Sequence, residues 1–328
     1  MTNQHDLREQ LKKQLFDEIS MQIDLIDYVP EDLQRMVGNY QFGSDLIVPI
    51  PETEGENAKT QLDKDELATL LNSYYDTTFY NDSGTWGTAL GGTSKTDYRN
   101  IGYWDETTTN QHLASVKLQD KLLEFIPNKT GRILDAACGL GASTRHLMDF
   151  YAPENIWAIN ISDRQIESTK INAPGCHAQV MNAVDLTFED NFFDAIECIE
   201  AAFHFETRKK FFQQAHRVLK DDGYLVLSDV LFTSRERLAQ HATYPSPENH
   251  VESIAEYESQ LAEAGFRNII VQDVSKEVWG SHFLYTIHKI HEDFYNGRLN
   301  IVQLNQILWT YYYLNATTGL CLFACAQK

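Results

Sequence analysis

The sequence predicts an α/β protein: a seven-stranded, mostly parallel sheet with helices on both faces and a helical cap or lid. From residue 111 onward, short apolar segments of strand length alternate with segments whose apolar residues recur at helical spacing. Such alternation is typical of parallel strands joined by crossover helices. In addition, Ile133 and Leu134 lead through Asp135 into a turn of small residues, and open α/β sheets bind ligands at strand ends of this kind.

The individual elements follow from local signals along the chain. The predicted strands lie near 132–135 and at 156–161, 177–181, 193–199, 224–228, 268–274 and 319–326. The predicted helices lie at 111–126, 142–151, 207–220, about 282–295 and 300–314, and two more begin at capping pairs. These pairs are Ser162 with Gln165 and Ser253 with Glu256, which have the spacing that satisfies free amides at a helix N-terminus. The turn 221–223 ends the helix at 207–220 before the next strand, and Gly265 ends the helix that Ser253 begins.

The same pattern divides the chain into three parts. Residues 1–110 form an N-terminal helical and aromatic cap, in which apolar residues from Leu7 to Ile26 recur at helical spacing. Residues 111–231 form the core of the sheet, and residues 232–328 complete it at about 251–276 and 317–328, with inserted lid helices at about 280–315. The N-terminal segment is also the candidate surface for a homo-oligomer.

Charge and composition exclude several classes of partner. A net charge of −20 disfavours nucleic acid and anionic membranes, because both bind cationic surfaces. The longest apolar runs are too short to span a bilayer, and residues 1–13 lack the apolar region of a secretory signal, so we expect a cytoplasmic protein. We predict no metal site, and we interpret His282, His288 and His291 as a solvated helix face.

The turn after the first predicted strand carries the strongest functional signal. Asp135 precedes the small residues Ala137, Gly139 and Gly141, and the G-x-G-x-x-G spacing of a dinucleotide site is absent. An acid before the glycines suits a ligand with an ammonium group better than a phosphate. This segment resembles the first motif of class I S-adenosylmethionine-dependent methyltransferases, which have a Rossmann-like fold.

Further segments match the same family in order and spacing over roughly residues 98–328. They include Asn160 at the end of the second strand, the segment from Asn182 to Asp194, and the segment from Glu200 to Asp229. The nearest kind is the small-molecule O-methyltransferase of natural-product pathways, such as those acting on sugars and macrolides. The resemblance implies S-adenosyl-L-methionine as the cofactor and a small secondary metabolite as the acceptor. It implies cofactor contacts at Asp135, Ala137, Gly139, Gly141, Asn160, Ile161, Gln165, Asn182, Ala183, Ile199 and Tyr103.

Three residues are candidates for catalysis, since they follow the fourth and fifth predicted strands. A hydroxyl acceptor benefits from a base that titrates near neutral pH, and His204 has the side chain that fits best. Asp229 is a candidate to orient His204 or the substrate, and Glu200 to meet the substrate or hold loop amides. Strand ends in a doubly wound sheet open onto one crevice, so we expect these side chains to lie together. Related sugar methyltransferases place a base and an acid at positions matching His204 and Asp229.

Other functions fit parts of the same pattern. Many aromatic residues suit a C- or N-methyltransferase acting on an isoprenoid, an indole or another electron-rich metabolite, because aromatic rings stabilise cations. A protein that binds S-adenosylmethionine without catalysis is a further alternative, against which His204 and Asp229 argue. A dinucleotide dehydrogenase fits poorly because the glycine spacing is wrong.

Overall fold

A computed structural model describes residues 97–233, 247–300 and 318–328, together with residues 69, 72, 304, 307, 308, 311, 314 and 315. The helix predicted between Leu7 and Ile26 lies outside these residues, as does most of the predicted N-terminal cap. Within the chain, Lys59–His282 and Gly319–Lys328 belong to one compact unit, and Phe283–Thr318 belong to a second. The three-part division proposed from the sequence stays a prediction.

Seven strands form one sheet, as predicted. They are β1 Ile133–Ala136, β2 Ile156–Asn160, β3 His177–Val180, β4 Phe193–Ile199, β5 Leu219–Phe232, β6 Arg267–Asp273 and β7 Thr318–Gln327. The spatial order is β3-β2-β1-β4-β5-β7-β6. Pairing is parallel from β3 through β5, and β6 pairs with β7 in the antiparallel sense. The chain moves outward from β1 in one direction and then from β4 in the other, so a crevice opens at their carboxyl ends.

Six α-helices are described, and side chains cap several of them. They are α1 Gln111–Leu123, α2 Ala142–Leu147, α3 Asp163–Asn172, α4 Arg208–Val218, α5 Ile254–Glu263 and α6 Ser281–Tyr295. The hydroxyl of Ser162 accepts from the amide of Gln165 at 3.2 Å, and the hydroxyl of Ser253 accepts from the amide of Glu256 at 3.2 Å. Both predicted capping pairs are therefore confirmed. No helix in the described ranges has the length and apolar character that a bilayer crossing requires.

Helices cover both faces of the sheet because successive β1 residues point in opposite directions. Ile133 packs with Leu118 and Leu122 of α1, whereas Leu134 packs in a separate cluster with Phe211 of α4. The two apolar clusters occupy the two faces of the sheet. Polar side chains that could bind a ligand are therefore expected at the strand ends.

Two expectations about local structure were wrong. We predicted a turn at 221–223 before the fifth strand, but β5 already begins at Leu219. The residues of the predicted turn remain in the strand and form a bulge opposite β4. The amide of Lys328 donates to the carbonyl of Gly223 at 3.0 Å and holds the bulge. The expected solvated histidine face also fails for His282 and His291, which are buried. The Nδ1 atom of His282 lies 3.1 Å from Oε1 of Gln111.

A buried ion pair ties α4 to β5. The Nε of Arg208 donates to Oδ2 of Asp229 at 2.6 Å, and Nη2 of Arg208 donates to Oδ1 at 3.2 Å. The hydroxyl of Tyr257 on α5 donates to the same Oδ2 at 2.9 Å. Arg208 is 2% exposed and Asp229 is 0% exposed, so neither charge has water to replace its partner.

Replacing Asp229 with Ala should destabilise the fold strongly. The change leaves the buried guanidinium without its carboxylate, and breaking such a pair costs about 3–5 kcal/mol. The matched control is Glu263→Ala, which removes a 2.7 Å pair with Lys209 between side chains that are both more than half exposed. Urea unfolding should show a large loss of unfolding free energy for Asp229→Ala and nearly none for Glu263→Ala. Equal losses in the two variants would contradict the structural role of Asp229.

Candidate active site

A buried carboxylate lies near the end of β1, just before the turn that follows this strand, and accepts hydrogen bonds from the start of α2. The Oδ2 atom of Asp135 accepts from the hydroxyls of Ser143 at 2.8 Å and Thr144 at 2.7 Å. Burial raises the pKa of Asp135 to about 6, and the two hydroxyl donors limit the rise. The carboxylate is therefore mostly ionised at neutral pH, which suits a cationic ligand group.

The backbone of this turn leaves space beside it. Ala137, Gly139 and Gly141 all have positive φ, at 70°, 55° and 84°. A Cβ added to Gly139 would meet nothing within 4 Å, so this glycine borders open space. A Cβ on Gly141 would lie 2.7 Å from Cα of Thr169, so this second glycine serves the close packing of α2 on α3. The open space at Gly139 and the acid at Asp135 fit the amino-acid end of S-adenosylmethionine.

The end of β2 differs from the sequence expectation for Asn160. Its Oδ1 accepts from the amide of Ser162 at 3.0 Å, and its Nδ2 donates to Oε1 of Gln165 at 3.1 Å. The amide group of Asn160 is thus engaged at both ends by its own loop, and it is only 8% exposed. The predicted contact of Asn160 and Gln165 with the ribose therefore competes with this local pair.

The turn after β3 lies beside the end of β2. The amide of Met181 donates to the carbonyl of Asn160 at 2.9 Å, which brings the two strand ends together. The Oδ1 of Asn182 accepts from the amide of Val184 at 3.2 Å and shapes the turn, while Ala183 is buried. Asn182 and Ala183 thus follow β3 beside the end of β2, and their contact with adenine stays a prediction. Ile199 ends β4 and is partly buried.

Glu200 begins the turn after β4 in a strained conformation with φ 47°. Its Oε2 accepts from the amide of Ile101 at 2.9 Å, while Oε1 is enclosed and has no hydrogen-bond partner in the described part of the chain. Burial raises the pKa of Glu200 to about 8, and the negative charge of Asp229 adds to the rise. Glu200 therefore carries a proton at neutral pH, and Oε1 is free to be the atom that carries it.

His204 ends the short 3₁₀ turn Ala202–His204 that follows Glu200. Its ring packs against Phe203, with 3.9 Å between ring centroids. Burial lowers the pKa of His204 to about 3, and the positive charge of Arg208 lowers it further. The imidazole is therefore neutral across the physiological pH range.

Asn249 holds this turn in place, a role that the sequence analysis missed. Its Nδ2 donates to the carbonyls of Ala202 at 3.1 Å, Phe203 at 3.2 Å and Phe205 at 3.1 Å. Its Oδ1 accepts from the amide of Arg208 at 2.5 Å, and its carbonyl accepts from the guanidinium of the same residue. The asparagine thereby connects the His204 turn to the Arg208–Asp229 pair. The sequence signal that could have found it is the segment Pro247–Asn249, whose residue types are typical of a turn.

Asp229 lies in the buried ion pair at the end of β5. Arg208 and Tyr257 donate to its two oxygens, and the amide of Val230 donates to Oδ1 at 2.9 Å. The predicted role of orienting His204 or the substrate competes with these contacts and stays a prediction.

The expectation that Tyr103 covers the cofactor stays a prediction. Its ring stacks on Phe323 of β7 at 5.9 Å and borders a groove of about 420 Å³ shared with Lys121 and Gln272. Tyr98 is an aromatic residue near Asp135: its hydroxyl lies 3.4 Å from Oε1 of Gln119, burial raises its pKa, and the charge of Asp135 contributes to the rise.

Glu197 was missed by sequence reasoning, although it is an acid within an apolar strand. It pairs in register with Asp135, and its Oε1 accepts from Nε2 of Gln119 at 2.8 Å. Burial, followed by the nearby charge of Asp135, raises the pKa of Glu197 well above its usual value. Burial therefore favours the protonated form of the Glu197 carboxyl beside Asp135.

Known proteins share this sequence pattern. Residues 134–227 match the family model described as a methyltransferase domain. The 27-O-demethylrifamycin SV methyltransferase of Amycolatopsis mediterranei is 30% identical over 193 residues, which cover 53% of this chain and 68% of that enzyme. The erythromycin 3''-O-methyltransferase of Saccharopolyspora erythraea is 26% identical over 235 residues, which cover 66% of this chain and 76% of that enzyme.

Solved structures share the fold. The [4+2]-cyclase SpnF superposes with a TM-score of 0.61 at 18% identity, over 82% of this chain and 97% of that chain. Phosphoethanolamine N-methyltransferase 2 of Haemonchus contortus, solved with S-adenosyl-L-methionine, gives a TM-score of 0.60 at 17% identity, over 79% of this chain and 60% of that chain.

The match to the family model includes Asp135, the glycine turn after β1 and the turn after β4. The resemblance read from the sequence is thereby confirmed: this chain belongs to the S-adenosylmethionine-dependent methyltransferases.

Proposed function

We propose that this enzyme methylates a hydroxyl group of a small secondary metabolite, with His204 as the base. The observation that carries the proposal is the turn after β4, which brings a buried neutral imidazole, His204, close in the chain to a buried carboxyl group, Glu200. The Oε1 atom of Glu200 is enclosed there and has no hydrogen-bond partner among the described residues. Support comes from the two relatives above, of which one is named as a 3''-O-methyltransferase and the other as the methyltransferase of 27-O-demethylrifamycin SV.

The cofactor would lie along the carboxyl ends of β1, β2 and β3. Asp135 would face its ammonium group, and the open space at Gly139 would take its amino-acid end. The turns at Ile161, Asn182 and Ala183 would enclose the nucleoside. When bound, S-adenosylmethionine supplies an activated methyl group, so the protein has to position the acceptor and accept one proton.

His204 is suited to accept that proton even though its pKa is low. A hydroxyl oxygen that gains a methyl group while keeping its proton becomes an oxonium, a far stronger acid than imidazolium. The proton can therefore pass from the acceptor oxygen to the neutral imidazole of His204 as the new carbon–oxygen bond forms. The ether remains and His204 returns the proton to solvent.

Glu200 has the complementary role. Because its pKa is about 8, it carries a proton at neutral pH and can donate a hydrogen bond from the enclosed Oε1 atom. We propose that this bond orients the acceptor oxygen toward His204. Neighbouring groups whose pKa values are pushed apart are the pattern expected of a proton donor and acceptor.

Substituting Gly139 with Val should abolish cofactor binding without unfolding the protein. A side chain there enters the open space that we assign to the ligand, so affinity for S-adenosylhomocysteine should fall by about 100-fold or more. The matched control is Gly297→Val, since Gly297 also has positive φ, at 69°, with nothing within 4 Å of an added Cβ. Calorimetric titration should give normal binding for the control. Normal binding by Gly139→Val would place the ligand elsewhere.

Substituting His204 with Ala should lower the turnover rate by about 10²–10⁴-fold, the usual contribution of a general base. Affinity for S-adenosylhomocysteine should stay close to that of the native enzyme, because His204 meets the acceptor. Single-turnover kinetics on the acceptor measures the rate, and calorimetric titration measures the affinity for S-adenosylhomocysteine. Near-native turnover in this variant would favour transfer to carbon or nitrogen, which needs positioning but no base of this kind.

The dependence of the methylation rate on pH should follow the titration of Glu200, and not that of His204. The native rate should be flat between about pH 5 and 7, because the His204 pKa of about 3 lies below this range, and it should fall as pH rises through about 8. Glu200→Gln keeps a donor that does not titrate, so its rate should stay flat to higher pH. Glu200→Ala should be slow at every pH. A native rate that rises through pH 8 would show that ionised Glu200 is the base.

A further inference from the structure

The side chain of Asn160 at the end of β2 is engaged by its own loop. The resemblance places a ribose contact at Asn160, where an acid is more usual. Its Oδ1 accepts from the amide of Ser162, and its Nδ2 donates to Gln165. These bonds orient the Asn160 amide toward its own loop, so a second acceptor at this strand end would strengthen a ribose contact.

Asn72 stands at that strand end although it is distant in the sequence. Its Nδ2 donates to the carbonyl of Ile161 at 3.0 Å, directly after β2. Asn72 lies outside the part of the chain that the family resemblance covers, which begins near residue 98. Both Asn72 and Ile161 belong to the compact unit that contains Lys59–His282.

The orientation of the Asn72 amide is fixed by its partner. A backbone carbonyl only accepts, so the amide nitrogen faces Ile161 and the oxygen faces the other way. That Oδ1 atom is buried and accepts no hydrogen bond from any residue that the structure describes. A buried acceptor without a donor is energetically unfavourable, so a ligand hydroxyl that donates to this oxygen would be stabilised there.

We propose that Asn72 is a cofactor-binding residue that accepts a hydrogen bond from a ribose hydroxyl. The Ile161 carbonyl positions it, and it supplies an acceptor beside Asn160, whose amide is engaged by its own loop. The inference rests on the proposed binding of the nucleoside at the end of β2. It adds a contact from a segment that none of the family motifs includes.

The test combines a variant with modified ligands. Affinities of the native protein and Asn72→Ala are measured by calorimetry for S-adenosylhomocysteine and for its 2'-deoxy and 3'-deoxy ribose analogues. One lost hydrogen bond should weaken S-adenosylhomocysteine binding by about tenfold in Asn72→Ala. One of the two deoxy analogues should bind the native protein about tenfold less well, with little further loss in the variant, because residue and hydroxyl form one contact.

The matched control is Asn172→Ala. Asn172 also donates its Nδ2 to a backbone carbonyl, that of Leu140 at 2.8 Å, and its loss should leave the ribose preference unchanged. Equal loss for all three ligands in Asn72→Ala would overturn the proposal, since it would mean that Asn72 acts through the loop alone. Native protein that binds both deoxy analogues as well as the parent would overturn it too, whether or not the variant folds. Failure of the native protein to bind S-adenosylhomocysteine at all would instead refute the proposed function.

Discussion

The buried pair of Arg208 and Asp229 is the interaction on which the β4 turn depends. It fixes the start of α4 against β5, and Asn249 extends this anchor to three carbonyls of the turn that carries His204. An ion pair removed from water is held in one geometry because no solvent can replace either partner. The turn between β4 and α4 therefore has a rigid base, although its own residues form only a single short 3₁₀ turn. Glu200 keeps a positive φ in this setting because the surrounding bonds determine its backbone.

The sheet was largely predictable because most of its strands have a local sequence pattern. β4 begins and ends at the predicted residues, since an apolar run there is bounded by polar turns. The capping pairs at Ser162 and Ser253 were equally local and were confirmed. β5 was harder because its bulge depends on Lys328, which lies more than a hundred residues away along the chain. No local pattern reports a partner of that kind.

The candidate site was predictable in its backbone and less so in its side-chain partners. The turn after β1 requires residues with small side chains, because its backbone has positive φ and packs closely against α3. Gly139 and Gly141 could therefore be recognised from the sequence. Asp229 looked equally functional as an acid at a strand end, but its hydrogen-bond partners Arg208 and Tyr257 lie on two other elements. Tyr103 and Tyr98 are five residues apart with similar surroundings in sequence, and only packing shows that Tyr98 lies near Asp135. Burial also moved the pKa of His204 far from the value that its residue type suggests.

The protonation of the β4 turn has a consequence for the choice of acceptor. Glu200 and His204 are both uncharged at neutral pH, and the charges of Arg208 and Asp229 are directed at each other. Glu206 of the same turn pairs with Lys210, so none of these residues offers an unpaired charge to an incoming molecule. An ionised acceptor would have to give up its hydration shell there without compensation, which is costly. A neutral alcohol loses far less. The enzyme would thus favour neutral metabolites over ionised ones. It would do so because the turn leaves no charged group free to pair with an ionised acceptor, and no repelling group is needed.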